Sequence, residues 1–336
     1  MEEPKRVRIA DIAEELGLST ATVSNVIHGK TSKVSEKTVR RVQELLEKRE
    51  YIPSMAGILL AQNNSKIIGI IVNDSEKYEG HVLEDGFIAA SLNALARELE
   101  AADYFMMVKV TKQWNEIARF ASMWNMAGLV LIGFCEQDYQ KLRSRMRIPF
   151  VIYDGFLENA SGLVNLVIDD YDGGRQMGTH LKNLGHERVL CIADNDICMD
   201  RRRFEGLQSV LPDAELLVIP MKKEKRMEFY RERKSKILGF TAVFAVSDYY
   251  AIDFMQFLGA EGIHVPSQIS VAGFDDSMLA GQVEPTLTTI GQNHGERARL
   301  AVELLERLRA HEEVLASYMI PLHLITRKST GHNDQK

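Results

Sequence analysis

From Lys66 onward, short apolar runs rich in β-branched residues alternate with amphipathic stretches, and this alternation restricts the fold more than any other feature of the 336 residues. The runs fall at 67–72, 105–110, 129–132, 150–153, 189–193, 216–219, 242–246 and 270–274. Helical spacing fills segments between them: 91–101, 171–184, 203–210, 250–261 and 295–309. A continuous apolar run needs cover on both faces, so strands of this kind separated by helices predict α/β layers with doubly wound parallel sheets. With this many strands, two lobes fit better than one sheet.

The first fifty residues follow a different period. Apolar residues recur at helical spacing as Ile9, Ile12, Ala13 and Leu16, then Val23, Val26 and Ile27, then Val39, Val42, Leu45 and Leu46. Gly17 can end the first helix, while Ser19 and Ser35 can cap the second and third. Two short helices joined by a tight turn, with Ala13 small at their crossing, make a helix-turn-helix. Its second helix opens on short polar side chains, Ser19, Thr20, Ala21, Thr22, Ser24 and Asn25, which suits contact with phosphates and base edges. Net charge is −6 overall, yet residues 1–65 hold ten Lys and Arg against nine Asp and Glu. Lys30, Lys33, Lys37, Arg40 and Arg41 face only Glu36 beside that helix, a patch that a solvated helix face explains equally well.

These residues carry a resemblance. The run IADIAEELGLSTATVSNVI from Ile9, then KVSEKTVRRV from Lys33 and YIPS from Tyr51, is similar to the lactose/galactose-repressor family of transcription regulators. The likeness returns in LGHERV from Leu184, SDYYAI from Ser247, VPSQISVAGFDD from Val265 and PTLTTIGQ ending at Gln292. The resemblance implies a three-helix headpiece over 1–50, a hinge over 51–65, and a two-lobed, periplasmic-binding-protein-like sensor and dimerisation domain over 66–336. Thr20, Ala21 and Asn25 would then choose the operator, and Ser19, Thr22 and Ser24, with Lys33 and Arg40, would hold phosphates. Asn25 can pair with adenine. Leu60 stands where family members wedge a leucine into the minor groove, and Gly57 weakens a hinge helix already too short to stand alone. The implied partners are palindromic double-stranded operator DNA, a second copy of the chain and a small-molecule effector; a corepressor protein on the sensor domain is a variant. Repression is expected over activation. The dimer face is expected to include residues 92–99.

The strand ends give a second argument. In open α/β sheets, ligands bind beyond the carboxyl ends of the strands. Polar residues stand there at Asn73-Asp74, Asp154, Ser247-Asp248 and Asp275-Asp276, and a fifth strand leads into Arg201, Arg202 and Arg203. Carboxylates beside a guanidinium suit vicinal hydroxyls or a ring amide. The expected effector contacts are Asn73, Asp74, Asp154, Arg203, Ser247, Asp275 and, by the resemblance, His294. Asp248 and Asp276 could equally cap the helices that follow them. A sugar or sugar derivative leads as the effector, with a nucleobase second and Tyr153, Phe156 or Tyr249 as stacking faces. Gly185 and His186 read as a helix end and loop. No cofactor or metal is expected, because GxGxxG, P-loop and GxSxG patterns are missing and Cys135, Cys191 and Cys198 form no CxxC pair. An enzyme and a secreted sugar receptor therefore fit poorly; the latter would lack residues 1–65 and carry a signal. A cytoplasmic location is expected.

Overall fold

Residues 7–52, 65–134, 136–155 and 162–333 are described by the structure, a computed structural model. It divides into two compact units, Met1–Ser65 and Lys66–Lys336. Leu60, Gly57, Phe156 and Cys135 lie outside the described residues.

In the first unit α1 (Ile9–Leu16), α2 (Thr20–Ile27) and α3 (Glu36–Lys48) enclose Ile12, Ala13, Val23, Val26, Val42 and Leu45. Gly17 ends α1 in the left-handed conformation, φ 65°, which a Cβ would strain. The Ser19 and Ser35 hydroxyls accept from the backbone N–H of Thr22 (3.1 Å) and Thr38 (3.2 Å), capping α2 and α3. Nearby, the Arg41 Nη2 donates to the Leu16 carbonyl, tying α3 to the end of α1.

The second unit begins with β1 (Ile67–Asn73), α4 (Gly86–Ala101), β2 (Phe105–Thr111), α5 (Trp114–Met123), β3 (Gly128–Ile132), α6 (Glu136–Arg145), β4 (Phe150–Tyr153) and β5 (Val164–Ile168). Then α7 (Asp170–Asn183), β6 (Val189–Ala193), α8 (Cys198–Val210), β7 (Glu215–Val218), α9 (Lys223–Glu232) and α10 (Lys234–Ile237) follow. The chain continues through β8 (Ala242–Ala245), α11 (Asp248–Ala260), β9 (Ser270–Ala272), β10 (Thr289–Gln292), α12 (His294–Arg309), β11 (Ser317–Ile320) and β12 (Leu322–Ile325).

Among the described residues, lobe 1 is a six-stranded parallel sheet in the order β11-β5-β4-β3-β1-β2. Alternate residues feed its two faces. Ile68, Ile70, Val130 and Val151 pack on one side under α4 and α12; Ile67, Ile71, Leu129 and Ile152 pack on the other under α5 and α6. Lobe 2 carries the parallel order β7-β6-β8-β9, with β10 and β12 paired antiparallel beside it. The chain passes between the lobes near 168–170, 292–294 and 320–322, because α12 and β11 return to lobe 1 after β10.

One packing detail places the site. Helices α7 and α8 cross at two glycines. A Cβ on Gly174 would stand 1.9 Å from the Arg203 carbonyl oxygen, and one on Gly206 would stand 2.0 Å from that of Tyr171. Only glycines allow that approach, and it delivers Arg203 to the open ends of β6 and β8.

Candidate functional site

The surface of α2 presents Thr20, Ala21 and Asn25 exposed, with Thr22 and Ser24 half-buried. Val23 and Val26 point the opposite way into the core. The Ser19 hydroxyl also meets the Thr22 hydroxyl at 2.9 Å, so the two alcohols sit as a pair at the N-terminus of α2. Lys33 and Arg40 are exposed on the loop before α3 and on α3 itself. Exposed short polar groups above a helix N-terminus are chemically suited to an anion.

In the second unit a cavity of about 300 Å³ opens beyond the carboxyl ends of β1, β3 and β4 on lobe 1 and of β6 and β8 on lobe 2. Of the sequence-predicted contacts, Asn73, Asp154, Arg203, Ser247 and Asp275 line it. Asp74 and His294 do not. The His294 ring lies behind Phe87, 5.7 Å between centroids, with Nδ1 3.3 Å from the Ser91 hydroxyl. Burial, helped by the Arg297 charge, lowers its pKa to about 4, so it is a neutral ring supporting a cavity wall. The half-buried Asp74 follows β1 outside the lining.

Most of the lining side chains are already engaged. The Arg203 Nε donates to Asp170 Oδ1 at 2.8 Å, Nη1 donates to the Val246 carbonyl at 2.5 Å, and the guanidinium lies 3.7 Å from the Phe274 ring centroid. Burial, partly offset by Arg203, pushes Asp170 up to about 6. Asp154 Oδ1 stands 2.5 Å from Arg297 Nη2, a group that also donates to the Leu166 carbonyl. Gln292 Nε2 donates to Asp275 Oδ1 at 2.7 Å, and Asn73 Nδ2 donates to the Gly133 carbonyl. Asp154 (φ 50°) and Asp275 (φ 114°) both sit on left-handed backbone just after a strand. Such conformations are held only where the surroundings over-determine them.

Two residues left open as helix caps are neither caps nor lining. Ser247 caps α11 by accepting from the Tyr250 N–H at 3.4 Å. The buried Asp248 accepts from the Ser277 N–H (2.7 Å) and the Thr289 hydroxyl (2.6 Å), while Asp276 pairs with Arg327 at 2.7 Å. These bonds bind the 275–277 turn to α11 and β10. His186 is a structural ring: it bridges the Thr241 hydroxyl and the Gly331 carbonyl below the helix end at Gly185. Of the stacking faces, Tyr153 and Tyr249 line the cavity, and Arg297 lies 4.2 Å from the Tyr153 ring centroid.

Sequence reasoning missed Lys77, Tyr78, Asp85, Phe87, Asp194, Asn195, Asp200 and Gln292 in the lining. For Asp194 and Asn195 the signal was there, since they directly follow the run 189–193. Lys77 and Asp85 stand in a loop with no periodicity to read.

A helix-turn-helix unit followed by a two-lobed parallel α/β unit with a polar cleft defines the class: DNA-binding transcription regulators that carry their own ligand sensor. Residues 8–54 match the family of bacterial regulatory proteins, lacI family, and residues 179–330 match the periplasmic binding protein-like domain. The chain belongs to the lacI family of bacterial regulatory proteins. It is 28% identical over 344 residues to the HTH-type transcriptional repressor PurR of Aliivibrio fischeri strain MJ11, covering 96% of this chain and 97% of that one. To PurR of Haemophilus influenzae strain KW20 it is 29% identical, covering 96% and 98%. The fold matches the lac repressor dimer bound to operator and the anti-inducer ONPF, with a TM-score of 0.82, 23% identity, and coverage of 97% of this chain and 100% of that one. It also matches the regulator CelR in complex with cellobiose, with a TM-score of 0.69, 21% identity, and coverage of 96% and 100%. Among the described residues, no helix is long and apolar enough to cross a membrane.

Proposed function

We propose that the chain is a homodimeric repressor that reads a palindromic operator, and that a small polar effector, a sugar or sugar derivative, sets its operator affinity from the cleft. One observation carries the reading. The same chain joins an exposed helix presenting Thr20, Ala21 and Asn25 to a polar cavity of about 300 Å³, a volume suited to a small ligand. One helix-turn-helix reads half a site, so a two-fold dimer is the economical reader of a palindrome. The curated relatives are named as repressors, and the lac repressor is seen as a dimer on its operator. In this reading residues 1–50 read DNA, 51–65 couple, with Leu60 as the minor-groove wedge, and 66–336 sense and dimerise. Asn73, Asp154, Arg203, Ser247 and Asp275 contact the effector, and the protein works in the cytoplasm.

A ligand shifts DNA affinity only if it binds two lobe arrangements unequally. Folding of the short coupling segment is the element it would bias. The test has two parts. Selected-site sequencing gives the operator; Asn25→Ala changes the base profile, whereas Lys33→Ala weakens every site alike and lowers the salt slope by about 1. Anisotropy titrations on that operator then follow ligands found in a thermal-shift screen of sugars, sugar phosphates and purines. An unchanged Asn25→Ala profile overturns the reading of α2, and a cleft ligand without effect on operator affinity overturns the coupling.

A further inference from the structure

The charges lining the cleft are out of balance. Arg203 is spent on Asp170 and the Val246 carbonyl, and Asp154 is spent on Arg297. What remains among the described lining residues is Asp85, Asp194, Asp200 and Asp275, against the ammonium of Lys77 and the share of the Arg203 charge that also reaches Asp200 and Asp275. Two of these carboxyl groups are held together as a built pair. Asn195 Nδ2 donates to Asp194 Oδ1 (2.5 Å) and to Asp200 Oδ2 (2.8 Å), while the Tyr250 hydroxyl donates to Asp194 Oδ2 (2.5 Å). Asp194 is only 8% exposed. Beyond this cluster, the Tyr153 hydroxyl, on a side chain 1% exposed that lines the same cavity, has no hydrogen-bond partner among the described residues.

Lys77 shows what this environment accepts. It sits in the short turn Glu76–Tyr78 after β1, with its ammonium 4.9 Å from the Tyr78 ring centroid. Burial works against its charge, yet Tyr78, Asp194, Asp85 and Asp200 together outweigh burial and raise its pKa. Burial, opposed by Arg203 and helped by Asp194, pushes Asp200 up to about 7; burial also lifts Asp275 well above the usual carboxylate range. Burial is the first cause, and Arg203 and Lys77 offset it only in part, so carboxyl groups that hold protons in this way leave room for a further counter-ion. A cation entering the cavity would supply one, while an anion would add to the repulsion.

We propose that the effector of this cleft is an organic cation, such as an amino sugar, which sets its protonated amine between Asp194 and Asp200 and its hydroxyl groups against Asp275 and Tyr153. This rests on the reading of the cleft as the effector site and narrows the ligand within it. Lys77 is the internal stand-in for the ligand's amine. Sugar phosphates are excluded by the same carboxyl groups.

Three probes of one shape test the proposal on the full chain without DNA: cyclohexylamine, cyclohexanol and cyclohexanecarboxylate, each titrated by saturation-transfer NMR. The amine is expected to bind at least about tenfold tighter than the alcohol, and the carboxylate not saturably. D200N brings the amine down to the level of the alcohol, and K77M, which removes the resident ammonium, strengthens amine binding several-fold. Circular dichroism checks that both variants fold, and K77M, in a single 3-10 turn outside the core, carries the test if D200N does not. Equal binding of amine and alcohol, a carboxylate that binds as well as the amine, or no saturable amine binding overturns the proposal. Amine binding that leaves operator affinity untouched sinks the coupling under Proposed function and leaves this inference standing.

Discussion

The headpiece and the sensor cleft solve the placement of functional side chains in opposite ways. On α2 the candidate reading groups Thr20, Ala21 and Asn25 are exposed, and the core below them is built from other residues, Val23 and Val26. In the cleft the candidate contacts are themselves part of the fold. Arg203 holds Asp170 and the Val246 carbonyl, and Asp275 is bonded to Gln292. Exposed groups that touch little can be exchanged singly, whereas groups within one hydrogen-bond network couple when changed. The headpiece can therefore change its operator without refolding, while the cleft changes its ligand only by rearranging several partners together.

The largest effect that could break this comparison belongs to a residue touching neither ligand. Gly174→Ala puts a Cβ 1.9 Å from the Arg203 carbonyl oxygen, so α7 and α8 must separate and carry the guanidinium out of place. A loss of about 3 kcal/mol in the denaturation of the sensor unit is expected, together with loss of effector binding. Wild-type stability for this variant would mean that the helix crossing does not position Arg203.

A smaller effect sharpens the electrostatic side. The folded-state pKa of Asp200, at about 7, lies above the ordinary carboxylate value of 3.8. Stability linked to this group is present in full below about pH 4 and is lost as pH rises through about 7. Asp200→Asn removes that loss, so its stability relative to the wild type should climb across this window. Discounted for the solvent reaching a half-buried group, the gain is on the order of 2 kcal/mol at neutral pH. Parallel urea melts at pH 5 and pH 8 measure the difference. A gap that stays flat would show that the carboxyl group titrates as it does in the unfolded chain.

The smallest effect separates capping from DNA contact. Ser19→Ala and Ser35→Ala each remove a hydroxyl that accepts a backbone N–H at the start of a helix. Each should lower headpiece stability by about 1 kcal/mol. If the Ser19 hydroxyl also holds a phosphate, only Ser19→Ala weakens operator binding beyond what its stability explains. Equal operator affinities for the two variants would leave Ser19 a cap and nothing more.

The sequence alone determined the elements whose signal is local. The helical period of residues 9–48, Gly17 at the turn and the serine caps specify the headpiece, and the buried strands β1, β3, β4, β6 and β8 announce themselves as unbroken apolar runs because both faces are covered. The rule that ligands gather at strand ends then located Asn73, Asp154, Ser247 and Asp275. Tertiary structure decided the rest. β11 is an edge strand with only Ile320 buried, and it pairs with β5, about 150 residues earlier in the chain, so neither its pattern nor its neighbours reveal it. Nor could the segment 74–85 be placed from its residues, since it has no period; only the folded lobes bring Lys77 toward Asp194 and Asp200. His294 begins α12 and looked like a cleft residue, but the Phe87 ring stands in front of it. Local order follows from the spacing of side chains along the backbone, whereas the charge balance of a cavity depends on which distant groups share it, and that is settled only when the core closes.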